Sequence, residues 1–214
     1  MSRIVYVVDD DASFVTALSR LLRLNGLEPR PFTSASRFLE SLEDSCRGCV
    51  LADLSMPDMS GLDLQERLAA SAAPMPIVFL TGHGDIPASV RAMRNGAVDF
   101  LEKRVPADEL LRAVCIALER DARDSTSRAR LSDIKARFAR LSAREHEVLQ
   151  HVVEGRMIKE IAAALDIHER TVKLHRTAIT RKVGVQSSAL LATMAQEAGL
   201  FRQPQIEAEV ETAA

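Results

Sequence analysis

The first 120 residues of this 214-residue chain alternate between two kinds of apolar pattern. Short continuous apolar runs lie at positions 4–8, 49–52, 77–80 and 98–101. They are too brief for helices, and Val and Ile recur in them, so each run predicts a buried strand. Apolar residues at helical spacing fill the stretches between the runs. A β–α repeat with continuously apolar strands predicts a parallel sheet that helices cover on both faces.

One further strand is weaker in the sequence. The stretch 28–33 contains Pro29 and Pro31, and proline lacks the N–H group that a central strand donates to its neighbour. We therefore expect this strand at an edge of the sheet.

Chemically active side chains stand where the predicted strands end. Asp9 and Asp10 close the first run, Asp53 closes the second, Thr81 the third and Lys103 the fourth. Ligands of such sheets bind outside the carboxyl ends of the strands, where the strand order reverses. We therefore expect these five side chains to meet at one edge of the sheet.

These residue types can together move a phosphoryl group onto a carboxylate. Asp53 would be the nucleophile that attacks phosphorus in line. Because a carboxylate and a phosphoryl group repel each other, a divalent cation is needed between them. Asp10, helped by Asp9 and the backbone carbonyl of Ser55, would supply oxygen ligands suited to Mg2+ or another divalent cation.

Lys103 and Thr81 complete the predicted site. The Lys103 ammonium would neutralise the equatorial phosphoryl oxygens, and the Thr81 hydroxyl would donate a hydrogen bond to another of them. Taken alone, an Asp after a strand is usually a turn residue or a helix cap, and a lone lysine is a solvated charge. The coincidence of all these residues at strand ends favours the phosphoryl site.

Charge divides the chain into two parts of opposite sign. Residues 1–121 carry 13 Lys and Arg against 18 Asp and Glu, a balance of −5. Residues 122–203 carry 15 against 9, a balance of +6, and the remaining positions add three Glu to give −2 overall. An acidic front and a basic back predict two domains, the second of which binds nucleic acid.

The sequence also indicates where the protein is found. No apolar run approaches the ~18–20 residues of a membrane span, and the N-terminus lacks a signal-peptide pattern. Three cysteines, two of them in the lone CxxC motif of Cys46 and Cys49, provide neither a disulfide framework nor a second metal-binding pair. We therefore expect a cytoplasmic protein without a membrane partner.

Residues 3–120 resemble the receiver domain of bacterial two-component response regulators. The matching motifs are Val8-Asp9-Asp10, Asp53 with Met56-Pro57-Asp58-Met59-Ser60-Gly61, Thr81-Gly82-His83-Gly84-Asp85, and Gly96-Ala97-Val98-Asp99-Phe100-Leu101-Glu102-Lys103. The resemblance implies a doubly wound (βα)5 flavodoxin-like fold and a sensor histidine kinase as partner. It implies Asp53 as the phosphoacceptor, with Asp10 as the principal metal ligand and Asp9 beside it. It further implies Thr81 and Phe100 as a switch pair, in which the hydroxyl moves toward the phosphate while the ring turns inward.

One position departs from the receiver pattern. Receivers usually carry Pro after the conserved lysine, often behind a cis peptide bond, whereas this chain has Arg104. We expect the Lys103–Arg104 bond to be trans, because a cis bond costs about 2.5–4 kcal/mol without proline. Arg104 is also the one argument for a pseudo-receiver, which would bind DNA without being phosphorylated.

An enzyme is a further alternative of a different class. Haloacid-dehalogenase-like phosphatases also form an aspartyl phosphate, but they place a second Asp two residues after the nucleophile as acid and base. Here that position is Ser55. We therefore expect no turnover of external substrates.

Residues 122–140 are rich in Arg, Ala, Ser and Asp. Leu131, Ile134, Phe138 and Leu141 recur at spacings of three and four, which predicts a helical linker. This helix could extend the last receiver helix, pair with a second chain, or pack as a solvated helix on its own domain.

The back half begins with a helix-start signal. Ser142 and Glu145 form a capping box, in which the side chain of each residue accepts a hydrogen bond from the backbone N–H of the other. Helical patterns follow at 145–153, 158–165 and 169–183, with a short turn between the last two. Two short helices so spaced predict a helix-turn-helix.

The second helix of this pair has two distinct faces by angle. Val172, Ile179 and Val183 form an apolar stripe at 3.6 residues per turn. The side chains on and beside the opposite face are Arg170, Lys173, Leu174, Thr177 and Arg181. Such a face suits the major groove, where Lys or Arg reads guanine and Thr or apolar groups meet thymine methyl groups.

Residues 141–200 resemble the LuxR/FixJ-type output domain, a four-helix helix-turn-helix unit. The motifs that carry this resemblance are Leu141-Ser142-x-Arg144-Glu145-x-Glu147-Val148-Leu149, Lys159-Glu160-Ile161-Ala162 and Arg170-Thr171-Val172-Lys173-Leu174-His175. The resemblance implies that Lys173, Leu174 and Thr177 face bases. The positions expected to serve phosphates, which carry no sequence information, are Arg170, Thr171, Arg176 and Lys182.

Together the two resemblances predict a FixJ/NarL-type response regulator that controls transcription. We expect a receiver at 1–121, a helical linker at 122–140, a helix-turn-helix domain at 141–203 and a disordered acidic tail at 204–214. The partners would be the sensor kinase, promoter double-stranded DNA and RNA polymerase. The phosphorylated chain would form a homodimer, with the predicted last helix at 187–198 as its surface.

Overall fold

The computed structural model describes residues 3–71, 74–82 and 86–201. The residue contacts separate the chain into two compact units, with the boundary between Thr126 and Ser127. The predicted acidic tail at 204–214 lies outside the described residues. The predicted domain limits at 121, 140 and 203 stay predictions.

Within the described residues, five strands form the centre of the first unit. They are β1 Ile4–Val8, β2 Glu28–Phe32, β3 Cys49–Asp53, β4 Ile77–Thr81 and β5 Asp99–Glu102. Their order in the sheet is β2-β1-β3-β4-β5, and every neighbouring pair is parallel. The predicted parallel sheet is therefore confirmed, and β2 with its two prolines lies at an edge as expected.

Helices cover both faces of this sheet. They are α1 Ala12–Leu24, α2 Ala35–Glu40, α3 Gly61–Ala70, α4 Ile86–Arg94 and the first part of α5 Ala107–Phe138. Successive strand residues point to opposite faces. In β1, Val5 and Val7 therefore pack with α1 and α5, while Tyr6 and Val8 pack with α2, α3 and α4. This two-layered core confirms the doubly wound, flavodoxin-like fold.

Within the described residues, the regular elements of the second unit are all helices. Its core joins the last part of α5 to α6 Ala143–Val153, α7 Ile158–Ala164, α8 Glu169–Val183 and α9 Ser188–Glu197. Ile134 and Phe138 of α5 are 3% and 1% exposed in this core. The apolar stripe predicted within 122–140 is thus part of α5, and its last residues pack inside the second unit. The four-helix architecture predicted from the resemblance is confirmed.

No helix in the described part of the chain combines the length and the apolar character that crossing a membrane requires.

Candidate functional site

The carboxyl ends of β1 and β3 bring three aspartates together. The strand register pairs Val8 with Ala52, so Asp9 follows beside Asp53. One carboxylate oxygen from each of Asp9, Asp10 and Asp53 lies within 4.8 Å of the other two. Asp9 and Asp53 are buried, whereas Asp10 is exposed. Three carboxylates around one point form a donor set of the kind that Mg2+ prefers.

Lys103 reaches this cluster from the end of β5. Its N–H donates to the carbonyl oxygen of Thr81 at 2.8 Å, which fixes its backbone beside β4. Its Nζ lies 2.7 Å from Asp9 Oδ2 and 3.4 Å from Asp53 Oδ2. The ammonium therefore contacts two buried carboxylates and offsets part of their charge, and its shorter contact is with Asp9.

Burial and these charges set the ionisation of the site. Burial raises the pKa of Asp53 above its ordinary value; the Lys103 ammonium opposes this rise, and the charge of Asp9 adds to it. Burial alone would lower the pKa of Lys103, but its hydrogen bond with Asp9 and the charge of Asp53 raise it. Lys103 therefore stays charged at neutral pH, as a group that binds an anion must.

The loop between β3 and α3 is fixed by contacts that the sequence did not reveal. The Asp58 carboxylate accepts hydrogen bonds from the Ser34 hydroxyl at 2.8 Å and the Ser36 N–H at 3.0 Å. A Cβ at Gly61 would lie 2.4 Å from the carbonyl oxygen of Asp53, so only glycine lets α3 begin this close to β3. Asp58 and Gly61 both belong to the receiver-like motif that follows Asp53, and this motif is the feature of the sequence that points to them.

Thr81 and Phe100 lie on the neighbouring strands β4 and β5. Thr81 is buried at the end of β4. The strand register pairs Phe79 with Phe100, and their ring centres are 6.2 Å apart. Because Phe79 and Thr81 are two residues apart on one strand, they point to the same face of the sheet. The half-buried Phe100 ring therefore lies on the same face as Thr81, one step along the sheet.

The Lys103–Arg104 peptide bond is trans, as predicted. The chain turns there, and the Val105 N–H donates to the carbonyl oxygen of Glu102 at 3.0 Å. Arg104 is exposed at the third position of this turn.

In the second unit, α8 presents the two faces that its sequence predicts. Val172, Ile179 and Val183 are each fully buried. The exposed side chains of α8 include Arg170, Lys173, Leu174, Thr177 and Arg181, and the half-buried ones include Thr171, Arg176 and Lys182. Leu174 is 64% exposed between these cations. An exposed helix face with cations around an apolar residue is suited to a groove of DNA.

The turn before α8 holds no side-chain cap. Among the described residues, the His168 side chain makes no hydrogen bond to the first N–H groups of α8. Ser or Thr at this position would satisfy one of these donors, so the start of α8 is less stabilised than a capped helix.

Comparisons with known proteins agree with the geometry of the aspartate cluster in the first unit and with that of α8 in the second. The model of the response regulator receiver domain matches residues 5–115, and that of the luxR family of bacterial regulatory proteins matches residues 139–195. The chain belongs to the two-component response regulators with a luxR-family output domain. Members of this family are transcription regulators. This response regulator contains both the receiver domain and the luxR-family domain.

Its relatives match most of this chain and most of their own length. Response regulator protein TodT of Pseudomonas putida is 44% identical over 184 residues, which are 86% of this chain and 81% of TodT. Transcriptional regulatory protein FixJ of Bradyrhizobium diazoefficiens is 38% identical over 197 residues, 92% of this chain and 96% of FixJ. The structure of response regulator StyR superposes with a TM-score of 0.79 at 43% identity, covering 91% of this chain and 98% of StyR.

One residue of the response regulator predicted to contact DNA has a partner within the protein. Lys182 Nζ donates to Glu145 Oε2 at 2.7 Å, and the same oxygen accepts the Ser142 N–H at 2.6 Å. The Ser142–Glu145 capping box is confirmed. The ion pair could not be predicted, because Glu145 and Lys182 are 37 residues apart. A phosphate contact by Lys182 stays a prediction.

The start of α6 contacts both helices of the helix-turn-helix. Arg144 Nη2 donates to the carbonyl oxygen of Leu165 at 2.7 Å, just after the end of α7. Glu145 binds Lys182 one residue before the end of α8. Two consecutive residues of opposite charge thus fix the ends of α7 and α8 relative to α6.

Glu145→Gln is expected to destabilise the second unit at neutral pH by about 1–3 kcal/mol, because it weakens a charge-assisted pair and leaves Lys182 without its partner. The hydrogen bond from Lys182, followed by that from the Ser142 N–H, lowers the pKa of Glu145 to about 2. A carboxyl whose pKa is lower in the folded state stabilises the fold above its unfolded pKa, about 4.3, and this contribution is lost as the pH falls toward 2.

Thermal unfolding of the full chain by circular dichroism tests this prediction. The gap in unfolding temperature between the wild type and Glu145→Gln should be largest at pH 7 and should narrow below about pH 4.3. Glu147→Gln is the matched control, because Glu147 pairs with Arg144 at the exposed surface and should cost little. A gap that stayed constant with pH would contradict a role for the Glu145 charge.

Proposed function

We propose that Asp53 accepts a phosphoryl group from a sensor histidine kinase, and that this modification controls DNA binding by the second unit. The observation that carries the proposal is the convergence of Asp9, Asp10 and Asp53 within 4.8 Å, with the Lys103 ammonium against two of them. A nucleophile, a metal-binding donor set and a fixed cation are the parts that phosphoryl transfer to a carboxylate needs.

Two contacts that orient the Asp53 carboxylate support its role as the nucleophile. Its Oδ1 accepts the Leu54 N–H at 2.8 Å, and its Oδ2 faces Lys103. A carboxylate oxygen attacks phosphorus in line, and the P–N bond of the phosphohistidine breaks with its electron pair left on the imidazole nitrogen. Lys103 binds the equatorial oxygens as charge moves onto the new acyl phosphate.

The carboxylates of Asp9, Asp10 and Asp53 and the backbone carbonyl of Ser55 would hold Mg2+ or another divalent cation. Three carboxylates against the Lys103 ammonium leave an excess of negative charge, which favours a divalent cation at this point. When bound, the cation would offset the repulsion between these carboxylates and the phosphoryl oxygens.

Thr81 and Phe100 would transmit the modification. The Thr81 hydroxyl would move to the phosphoryl group, and the Phe100 ring would turn inward to occupy the space beside it. Their shared sheet face and the half-buried state of the ring support this pairing. We propose that the phosphorylated chain forms a homodimer, in which α9 contributes an output-domain surface. The 48% exposed Leu190 on α9 supports this surface.

The second unit would bind promoter DNA through α8. Lys173, Leu174 and Thr177 would face the bases, and Arg176 would bind phosphate. The Thr177 hydroxyl donates to the carbonyl oxygen of Lys173 at 3.0 Å, so its methyl group is available for a thymine methyl group. RNA polymerase would be the partner that the DNA-bound regulator contacts.

Labelling coupled to DNA binding tests the proposed function. We expect acetyl phosphate and Mg2+ to label Asp53 to one equivalent, with the label released by hydroxylamine as an acyl phosphate is. The labelled full chain should then bind promoter fragments from its own genome more tightly than the unlabelled chain. DNA binding that needs no label would favour the pseudo-receiver. Repeated turnover of a phosphate monoester would favour the phosphatase.

A further inference from the structure

An aromatic ring lies against the Lys103 ammonium, in addition to the two carboxylates. Phe14 belongs to the first turn of α1. Lys103 Nζ lies 4.8 Å from the centre of the Phe14 ring. A cation at this distance from a ring is attracted by the negative face of the π system. The phosphoryl-transfer steps described above make no use of this contact.

The ring is held in place by the start of its own helix. Asp11 Oδ1 accepts hydrogen bonds from the Ser13 N–H at 2.9 Å and the Phe14 N–H at 3.1 Å. The Asp11 N–H in turn donates to Asp9 Oδ1 at 3.0 Å. The ring also packs against the core between the sheet and α1. Phe14 is therefore tied to Asp9, the same residue that binds Lys103.

Lys103 needs such a support because its stem is long and flexible. Its side chain is 21% exposed, so water can reach the ammonium and favour other rotamers. A ring face attracts a cation without fixing one direction of approach. The ammonium can therefore shift from Asp9 toward an incoming phosphoryl oxygen while it keeps the ring contact.

We propose that Phe14 is a positioning residue for phosphoryl transfer to Asp53, acting through Lys103. The ring keeps the ammonium beside the acceptor before transfer and supports it as it moves to the phosphoryl oxygens. This inference rests on the proposed function, because it assigns a role within the same site. The proposed role depends on the face of the aromatic ring, so an aliphatic side chain of similar size cannot perform it.

Two substitutions separate the ring face from simple packing. Phe14→Leu keeps an apolar side chain but removes the π system, and it should slow Asp53 labelling by acetyl phosphate about 2- to 10-fold. Phe14→Tyr keeps the π system and should retain the wild-type rate. Leu21→Ala is the control, since Leu21 packs against the same core about 10 Å further along α1. It should lower the unfolding temperature without changing the labelling rate.

A nuclear magnetic resonance signal of Lys103 gives a readout that packing does not move. The ring current of Phe14 should shift the Lys103 ε-methylene protons upfield, and Phe14→Leu should remove this shift whereas Phe14→Tyr keeps it. Equal labelling rates for the wild type and Phe14→Leu would overturn the inference and leave the proposed function intact. So would a wild-type spectrum without the shift. A wild-type chain that takes up no label would overturn the proposed function and the inference with it.

Discussion

Asp53→Ala is expected to take up no phosphoryl group from acetyl phosphate, under conditions in which the wild type is labelled to one equivalent. The variant lacks the nucleophilic oxygen, and the neighbouring Asp9 is poorly placed to replace it. Asp9 Oδ2 lies 2.7 Å from the Lys103 ammonium, against 3.4 Å for Asp53 Oδ2, so the charge of Asp9 is engaged more strongly than that of Asp53. Intact-protein mass spectrometry after a fixed incubation measures the bound phosphoryl group directly.

Asp10→Ala should block labelling for a different reason. It removes one of the three carboxylates that would hold Mg2+ and leaves the Asp53 nucleophile in place. Chelation of the divalent cation should block the wild type in the same way. Asp44→Ala removes an exposed carboxylate outside the cluster and should be labelled like the wild type. Stoichiometric labelling of Asp53→Ala would place the acceptor on another residue.

The sheet edge could be predicted because its geometry follows from a few local rules. Continuous apolar runs specify buried parallel strands, and such strands end at one edge. These two rules predict that Asp9, Asp53 and Thr81 lie near one another, although they give no distances. The prolines of β2 were equally informative, because a missing N–H group is tolerated at an edge.

The short helix α2 was not predicted from its own residues. Ala35–Glu40 spans six residues, too few for a helical period to stand out. Its start is stabilised from elsewhere, since Asp58 accepts hydrogen bonds from Ser34 and the Ser36 N–H. A contact between residues 24 apart leaves no local pattern in the sequence.

The same limit applies within the candidate site. The chemistry of Lys103 points to phosphoryl oxygens, but its contact with Phe14 depends on how α1 packs against the sheet. The helical periodicity after residue 122 predicted a helix, and the absence of Gly and Pro from 107 to 138 allows α5 to continue without a break. Which core its last residues enter depends on tertiary packing.

Lys173→Ala is expected to weaken binding to the cognate promoter site by about 1–3 kcal/mol and to relax discrimination at one or two base pairs. Lys173 is exposed next to Leu174, beside the face of α8 that lies opposite its buried stripe. A lysine that reads a base edge contributes to the specific complex and little to non-specific binding. Titrations against the cognate fragment, against single-base variants of it and against unrelated DNA measure the specific affinity, the base discrimination and the non-specific affinity separately.

Arg176→Ala provides the matched comparison on the same helix. As a phosphate contact, Arg176 should contribute to binding of every sequence, so its loss should reduce the slope of log K against log salt by about one. Lys182 is less suitable for this comparison, because its removal also leaves the buried Glu145 carboxylate without its ion pair. If Lys173→Ala lowered specific and non-specific binding equally and changed the salt slope as Arg176→Ala does, Lys173 would be a phosphate contact, and base reading would have to come from other residues of α8.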